Sequence, residues 1–140
     1  MKAANIYEDS FRAMDLTDDY ALVTTAHQGI GIHYFDQLLE ASGIQKGILA
    51  SLVGVDPRTV DNYRKNQKKF DTLEGEQLLK LGRLFLFGEE VFESMDDLRK
   101  WLDTESVGLG NIKPLILLNT STGVDLVYDE LKRIEEGYVV

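Results

Sequence analysis

The chain of 140 residues contains no cysteine, so disulfides and thiolate metal sites are excluded. It has two prolines and two histidines, and these leave little material for catalytic or metal chemistry. His27 and His33 are six apart and share no helix face. Neither stands near a serine in a nucleophile context, so both are read as structural. No apolar run approaches the roughly 20 residues that span a bilayer. The start, MKAANIYEDSF, lacks the apolar stretch of a secretory signal, so the expected location is the cytoplasm. VGLGN at 107–111 is not a phosphate loop, because no GxxxxGK[ST] pattern accompanies it. Glu89-Glu90 and Asp96-Asp97 read as solvated helix surface and caps, and no spacing resembles a calcium loop. No metal and no cofactor are expected. Nothing assembles a nucleophile, a base and an oxyanion site, so an enzyme is not expected.

What is present is a composition of 44% hydrophobic and 28% charged residues, that of a soluble globular chain. The net charge of −9 is unevenly distributed. Residues 43–69 carry six basic side chains against two acidic, a net of +4, whereas residues 70–140 carry 15 acidic against 7 basic, a net of −8. A basic patch followed by an acidic half suits two partners of opposite sign. It equally suits a basic segment on a chain kept soluble by its acidic half.

Residues 46–65, KGILASLVGVDPRTVDNYRK, have the pattern of a helix-turn-helix. Ala50 is the small residue needed where two helices touch, and Gly54 can take a positive φ at no steric cost. Asp56 can cap the second helix, and Pro57 fits the first helical position, where no N–H is required. Leu49, Val53, Val55, Val60 and Tyr63 recur at spacings that turn apolar faces inward. Arg58, Thr59, Asp61, Asn62 and Lys65 then occupy the opposite face, with donors and acceptors suited to phosphates and base edges. Arg64, Lys68 and Lys69 would contact the sugar-phosphate backbone. Asp61 could instead accept from a cytosine amino group. The competing reading is an ordinary αα-corner in a helical core.

The rest of the chain also reads as helices, so the expected fold class is all-α, with a Cro- or phage-repressor-like N-terminal half. Residues 1–16 show no period and are expected to form an irregular arm. A helix capped near Thr17-Asp18 is expected to turn Tyr20, Val23 and His27 to one side. Another spans 33–41, with Phe35, Leu38 and Leu39 apolar and Gly43 as its stop. Asp71 or Thr72 should cap the longest helix, 73–92, whose apolar residues spread over so wide an arc that it needs cover on two sides. Ser94 and Asp97 suggest a capped helix at 95–103 burying Leu98, Trp101 and Leu102. A loop at 104–111 and a short helix from Pro114 to Asn119 follow. Thr120 or Ser121 should cap the last helix, 121–136, with a stripe of Val124, Val127, Tyr128, Leu131 and Ile134. Gly137 is placed to end it in a left-handed conformation, which leaves the apolar tail Tyr138-Val139-Val140. The division expected is 1–28 as an arm with a possible helix, 29–70 as the helix-turn-helix region and 71–140 as a second helical region.

From about Gly31 to Val140 the chain resembles the Xre-type antitoxins of RES–Xre toxin–antitoxin pairs, relatives of the ParS and MbcA antitoxins. The resemblance runs through GVDPRTVDNYR (54–64), LLKLGRLFLFGEEVF (78–92) and LRKWLDT (98–104). It continues through GLGNIKPLILLNTSTG (108–123) and LKRIEEG (131–137). It implies an antitoxin whose helix-turn-helix half binds its own operon promoter. The C-terminal half would bind and silence a RES-domain toxin that consumes NAD, plugging its active site. Carried to this chain, the plug would comprise Arg133, Glu136, Gly137, Tyr138, Val139 and Val140. The resemblance also implies a homodimer, and no membrane partner. Two other functions fit the residues alone: a helix-turn-helix regulator without a toxin, or a helical scaffold that binds protein and never DNA.

Overall fold

The computed structural model describes Phe11 and residues 14–137. The regular elements of those residues are helical, and no strand occurs among them. They divide into two compact units, 1–83 and 84–140.

The first unit begins with α1 (Asp19–Gln28), where Asp18 accepts the Tyr20 N–H at 2.9 Å and caps the helix. This helix buries Leu22 and Ala26, not the Tyr20 and Val23 face expected from sequence, and Tyr20 is 76% exposed. A ten-residue helix carries two short stripes, and the small Ala26 on the Leu22 stripe allows the closer approach. Gly75, on the longest helix, shows this closeness: a β-carbon there would lie 3.2 Å from Ile30 and 3.8 Å from the Ala26 carbonyl oxygen. Of the arm expected at 1–16, residues 1–10, 12 and 13 lie outside the described residues. Phe11 is 5% exposed and packs its ring 5.5 Å from Tyr34, over a bare Gly82. Arg83 donates to the Leu16 carbonyl at 3.0 Å and to Asp19 at 2.8 Å.

Next, α2 (Ile32–Ser42) buries Phe35 and Leu38 and stops at Gly43 in the left-handed conformation, φ 70°. Then come α3 (Lys46–Val53) and α4 (Pro57–Asn66). Gln67 closes α4 at φ 53°, a left-handed conformation held by a side-chain-bearing residue. Phe70 returns to donate its N–H to the Ile30 carbonyl at 2.8 Å, and its ring meets Phe35 and Tyr63.

The longest helix, α5 (Thr72–Phe92), contains the division between the units. Asp71 and Glu74 cap it reciprocally: Asp71 accepts the Glu74 N–H at 2.9 Å, and Glu74 accepts the Asp71 N–H at 3.3 Å. Leu78, Leu79, Leu81, Leu84 and Phe85 are each no more than 1% exposed. Leu86, Phe87 and Phe92, on the same helix, are half-buried, and Leu73 is exposed.

In the second unit, Glu93 turns the chain at φ 60° into α6 (Met95–Leu102), capped by Ser94, which accepts the Asp97 N–H at 3.2 Å. Gly88 gives Leu98 its place, because a β-carbon there would stand 2.6 Å from the leucine methyl. Trp101 lies 5.7 Å from the Phe92 ring. The loop expected at 104–111 contains a 3-10 turn, Val107–Leu109, closed by Gly110 and Asn111 at positive φ, with Ser106 donating to the Ile112 carbonyl. Pro114–Asn119 is a 3-10 helix. Six residues opened by proline are too few for the i→i+4 ladder to prevail. Finally α7 (Ser121–Glu135), capped by Thr120, buries Val124, Val127 and Leu131 and stacks Tyr128 on Phe87 at 4.8 Å. Gly137 lies beyond it at φ 96°, as its position suggested.

Candidate nucleic-acid and partner interfaces

In the first unit, the geometry between α3 and α4 follows the local chemistry. Gly54 has φ 99° and ψ 25°, and its N–H bonds the Ala50 and Ser51 carbonyls at 2.9 and 3.1 Å. The Val55 N–H also reaches the Ala50 carbonyl at 2.9 Å. Ala50, Leu49 and Val60 are fully buried, so the small residue lies where the helices meet. Asp56 accepts the Arg58 N–H at 2.8 Å, and Pro57 occupies the first turn. At the far end of α4, the Tyr63 hydroxyl donates to Glu74 at 3.3 Å and links this helix to the cap of α5. Burial, then the charge of Glu74, pushes the Tyr63 phenol above its ordinary pKa.

The outward face of α4 gathers Asp56, Arg58, Thr59, Asn62 and Tyr63 around one open depression. Arg58 is 92% exposed but folds back on its own cap, its Nε 3.1 Å from Asp56. That bond, with the backbone N–H of Arg58, holds the Asp56 carboxyl below the usual range and raises the guanidinium. Asn62 accepts from Asn66 at 3.1 Å, and Lys65 is exposed on the same helix. Lys68 holds its ammonium 5.6 Å from the Tyr63 ring centre. The Lys69 stem lies across Gly29, where a β-carbon would come within 2.8 Å of it.

Asp61 and Arg64 belong to a second cluster that sequence reasoning did not assemble. Asp61 is paired with Lys46, the first residue of α3, and with Arg64 Nη1 at 3.1 Å. Arg64 also reaches across to α2, where Asp36 accepts at 2.5 and 3.4 Å. Lys46, then Arg64, holds the Asp61 carboxyl below its ordinary value, and Asp36 raises Arg64. Lys46 and Asp61 are 15 positions apart, and Asp36 and Arg64 are 28 apart, so no local spacing could signal the cluster.

In the second unit, Arg133 donates twice to Glu130, from Nε at 2.8 Å and from Nη2 at 2.5 Å. The Glu130 carboxylate is 3% exposed and lies against Gly108, where a β-carbon would collide with it. Arg133 is thus held to its own helix, while Glu136 and Gly137 are exposed at its end. Tyr138, Val139 and Val140 lie outside the described residues. Among the described residues, no group of three histidine, aspartate or glutamate side chains is placed to hold a metal, and no helix is long and apolar enough to cross a membrane.

The chain is all-helical, with two short helices joined by a tight turn at Gly54 in its first unit and a half-buried ion pair between Arg133 and Glu130 near the end of its last helix. Residues 87–137 match the family described as antitoxin Xre/MbcA/ParS C-terminal toxin-binding domain. The chain is 26% identical over 121 residues to Antitoxin Xre of Yersinia enterocolitica, covering 83% of this chain and 79% of that protein. It is 24% identical over 114 residues to Antitoxin Xre of Photorhabdus laumondii, covering 81% and 77% respectively. By these matches the chain is similar to antitoxins of the Xre/MbcA/ParS type.

Proposed function

We propose that this chain is the antitoxin of a type II toxin–antitoxin pair, a binding protein with two partners and no catalytic role of its own. The match of residues 87–137 to a toxin-binding domain carries the reading. The partner proposed is a RES-domain toxin that degrades NAD, blocked sterically by the end of this chain. Arg133, Glu136 and Gly137 mark the base of the plug, and Tyr138, Val139 and Val140 supply its apolar tip. Glu130, buried beneath Arg133, supports that base by fixing the guanidinium over the last turn.

The same chain is proposed to bind its own promoter through α4. Arg58, Thr59, Asn62 and Lys65 would reach base edges, with Arg64, Lys68 and Lys69 on phosphates. Two copies, with recognition helices about 34 Å apart, would read a palindromic site. The proposed setting for both activities is the cytoplasm.

Co-expression with the neighbouring toxin tests the plug. The full chain should restore growth and cellular NAD, and a chain ending at residue 136 should restore neither while keeping its helical circular dichroism. Complete rescue by the truncated chain would remove the plug. On DNA, Arg58→Ala should lower promoter affinity roughly ten- to hundredfold if its guanidinium makes a bidentate base contact. An unchanged gel shift would remove α4 as the reader.

A further inference from the structure

Asp56, Asp61 and Asp36, three of the acidic side chains around α4, do not have the same duties. Asp56 accepts a backbone N–H and is needed to start the helix. Asp61 makes no backbone hydrogen bond among the described residues and accepts only from two cations, Lys46 and Arg64. Asp36 completes the set from α2. All four members are partly exposed, with side chains between 37% and 58% accessible. Exposed pairs of this kind add little to folding stability and exchange readily with other ions. They do, however, cancel the charge of two of the six basic side chains in the basic segment.

We propose that Asp61, helped by Asp36, holds Lys46 and Arg64 as a self-neutralised reserve that DNA phosphates must displace, so that Asp61 weakens DNA binding and sets its salt dependence. The inference rests on the DNA-binding reading above. The cluster has two positive and two negative members and is neutral as it stands. Removing the Asp61 charge leaves one cation available to a phosphate. Each phosphate neutralised contributes about −0.9 to the slope of log affinity against log salt. If that contribution vanishes at 1 M salt, one additional phosphate is worth about eightfold in affinity at 0.1 M. Asp61 is therefore a positioning residue for the two cations and not a reader of bases.

The test measures anisotropy of a labelled duplex carrying the chain's own promoter, and of a scrambled duplex, between 50 and 300 mM KCl. The full chain is used, alone and with its bound partner. Asp61→Asn should bind both duplexes about eightfold more tightly at 0.1 M salt and steepen the slope by about 0.9. Asp36→Asn should move both quantities in the same direction. Asp129→Asn, an equal charge change on the exposed face of α7, should move neither. A purely structural staple would leave the slope unchanged. Weaker binding of Asp61→Asn to the promoter alone would make the carboxylate a base reader and overturn the inference. Unchanged affinity and slope in a folded Asp61→Asn would also overturn it. Should that variant lose its helical circular dichroism, Asp36→Asn decides by the same criteria. Absence of duplex binding by the parent chain, with and without partner, would remove the DNA reading itself. Parent binding with unmoved variants removes only the role given to Asp61.

Discussion

Replacing Gly123 by alanine should destabilise the second unit more than its position in the first turn of α7 suggests. A β-carbon there would stand 2.8 Å from the carbonyl carbon of Leu117, and nearer still to its oxygen. It would also stand 2.8 Å from Thr120 Oγ1, which accepts the Gly123 N–H at 3.0 Å. Neither neighbour is the movable end of a flexible side chain. Leu117 is backbone within the 3-10 helix, and Thr120 is the cap. Overpacking of this kind costs about 1–3 kcal/mol. Loss of the cap, if the threonine gives way, adds about 1 kcal/mol. A total of about 2–4 kcal/mol should lower the melting temperature by about 8–30 °C, at about 4–8 °C per kcal/mol for a small domain. Trp101 is the single tryptophan and is 7% exposed, so its emission reports unfolding of this unit. Gly110→Ala is the control. Its φ of 76° is unfavourable, but nothing lies within 4 Å, so about 1–2 kcal/mol of backbone strain is the whole expected effect. A Gly123→Ala chain melting within 2 °C of the parent would refute the reasoning.

Gly54→Ala, at φ 99° with open space around it, should cost about 1–2 kcal/mol in urea unfolding, and a larger loss would mean that contact outweighs backbone. Leu98→Ala should cost about 2–5 kcal/mol, and adding Gly88→Ala should recover part of it, because the leucine methyl that excludes a β-carbon at 88 is gone. Additive losses in that double mutant would sink the packing argument. Asp56 and Asp61 have carboxyl pKa values lowered from 3.8, so their contribution to stability is complete above the unfolded value. It is lost as pH falls through the lower folded values. Urea midpoints followed by circular dichroism should hold between pH 7 and 5, then decline below about pH 4, less so in Asp61→Asn.

The parts of this molecule that could be read from sequence are those whose causes are local. Gly54, Asp56 and Pro57 dictate a turn and a cap within four residues, and Asp71, Ser94, Thr120 and Gly137 act over similar spans. The buried face of α1 was missed because Tyr20 outweighs Leu22 and Ala26 on apolar size, whereas packing rewards fit. Phe11 was passed over because an isolated aromatic has no period, and its receptor, Gly82, is 71 positions away. The pairing of Asp61 with Lys46 depends on how α3 and α4 are set together, which residue type alone does not state. Glu130 offered no signal either, since a glutamate on a helix reads as solvated until Gly108 is known to lie against it.

Gln67, Glu93 and Asn111 all hold positive φ while carrying side chains, at 53°, 60° and 63°. A β-carbon in that region of conformational space costs energy that glycine would not, so three junctions of the chain are less restful than their geometry permits. They are sites where an engineer could harden the molecule without touching its core. They also show that the native chain carries strain at its junctions that its fold does not require.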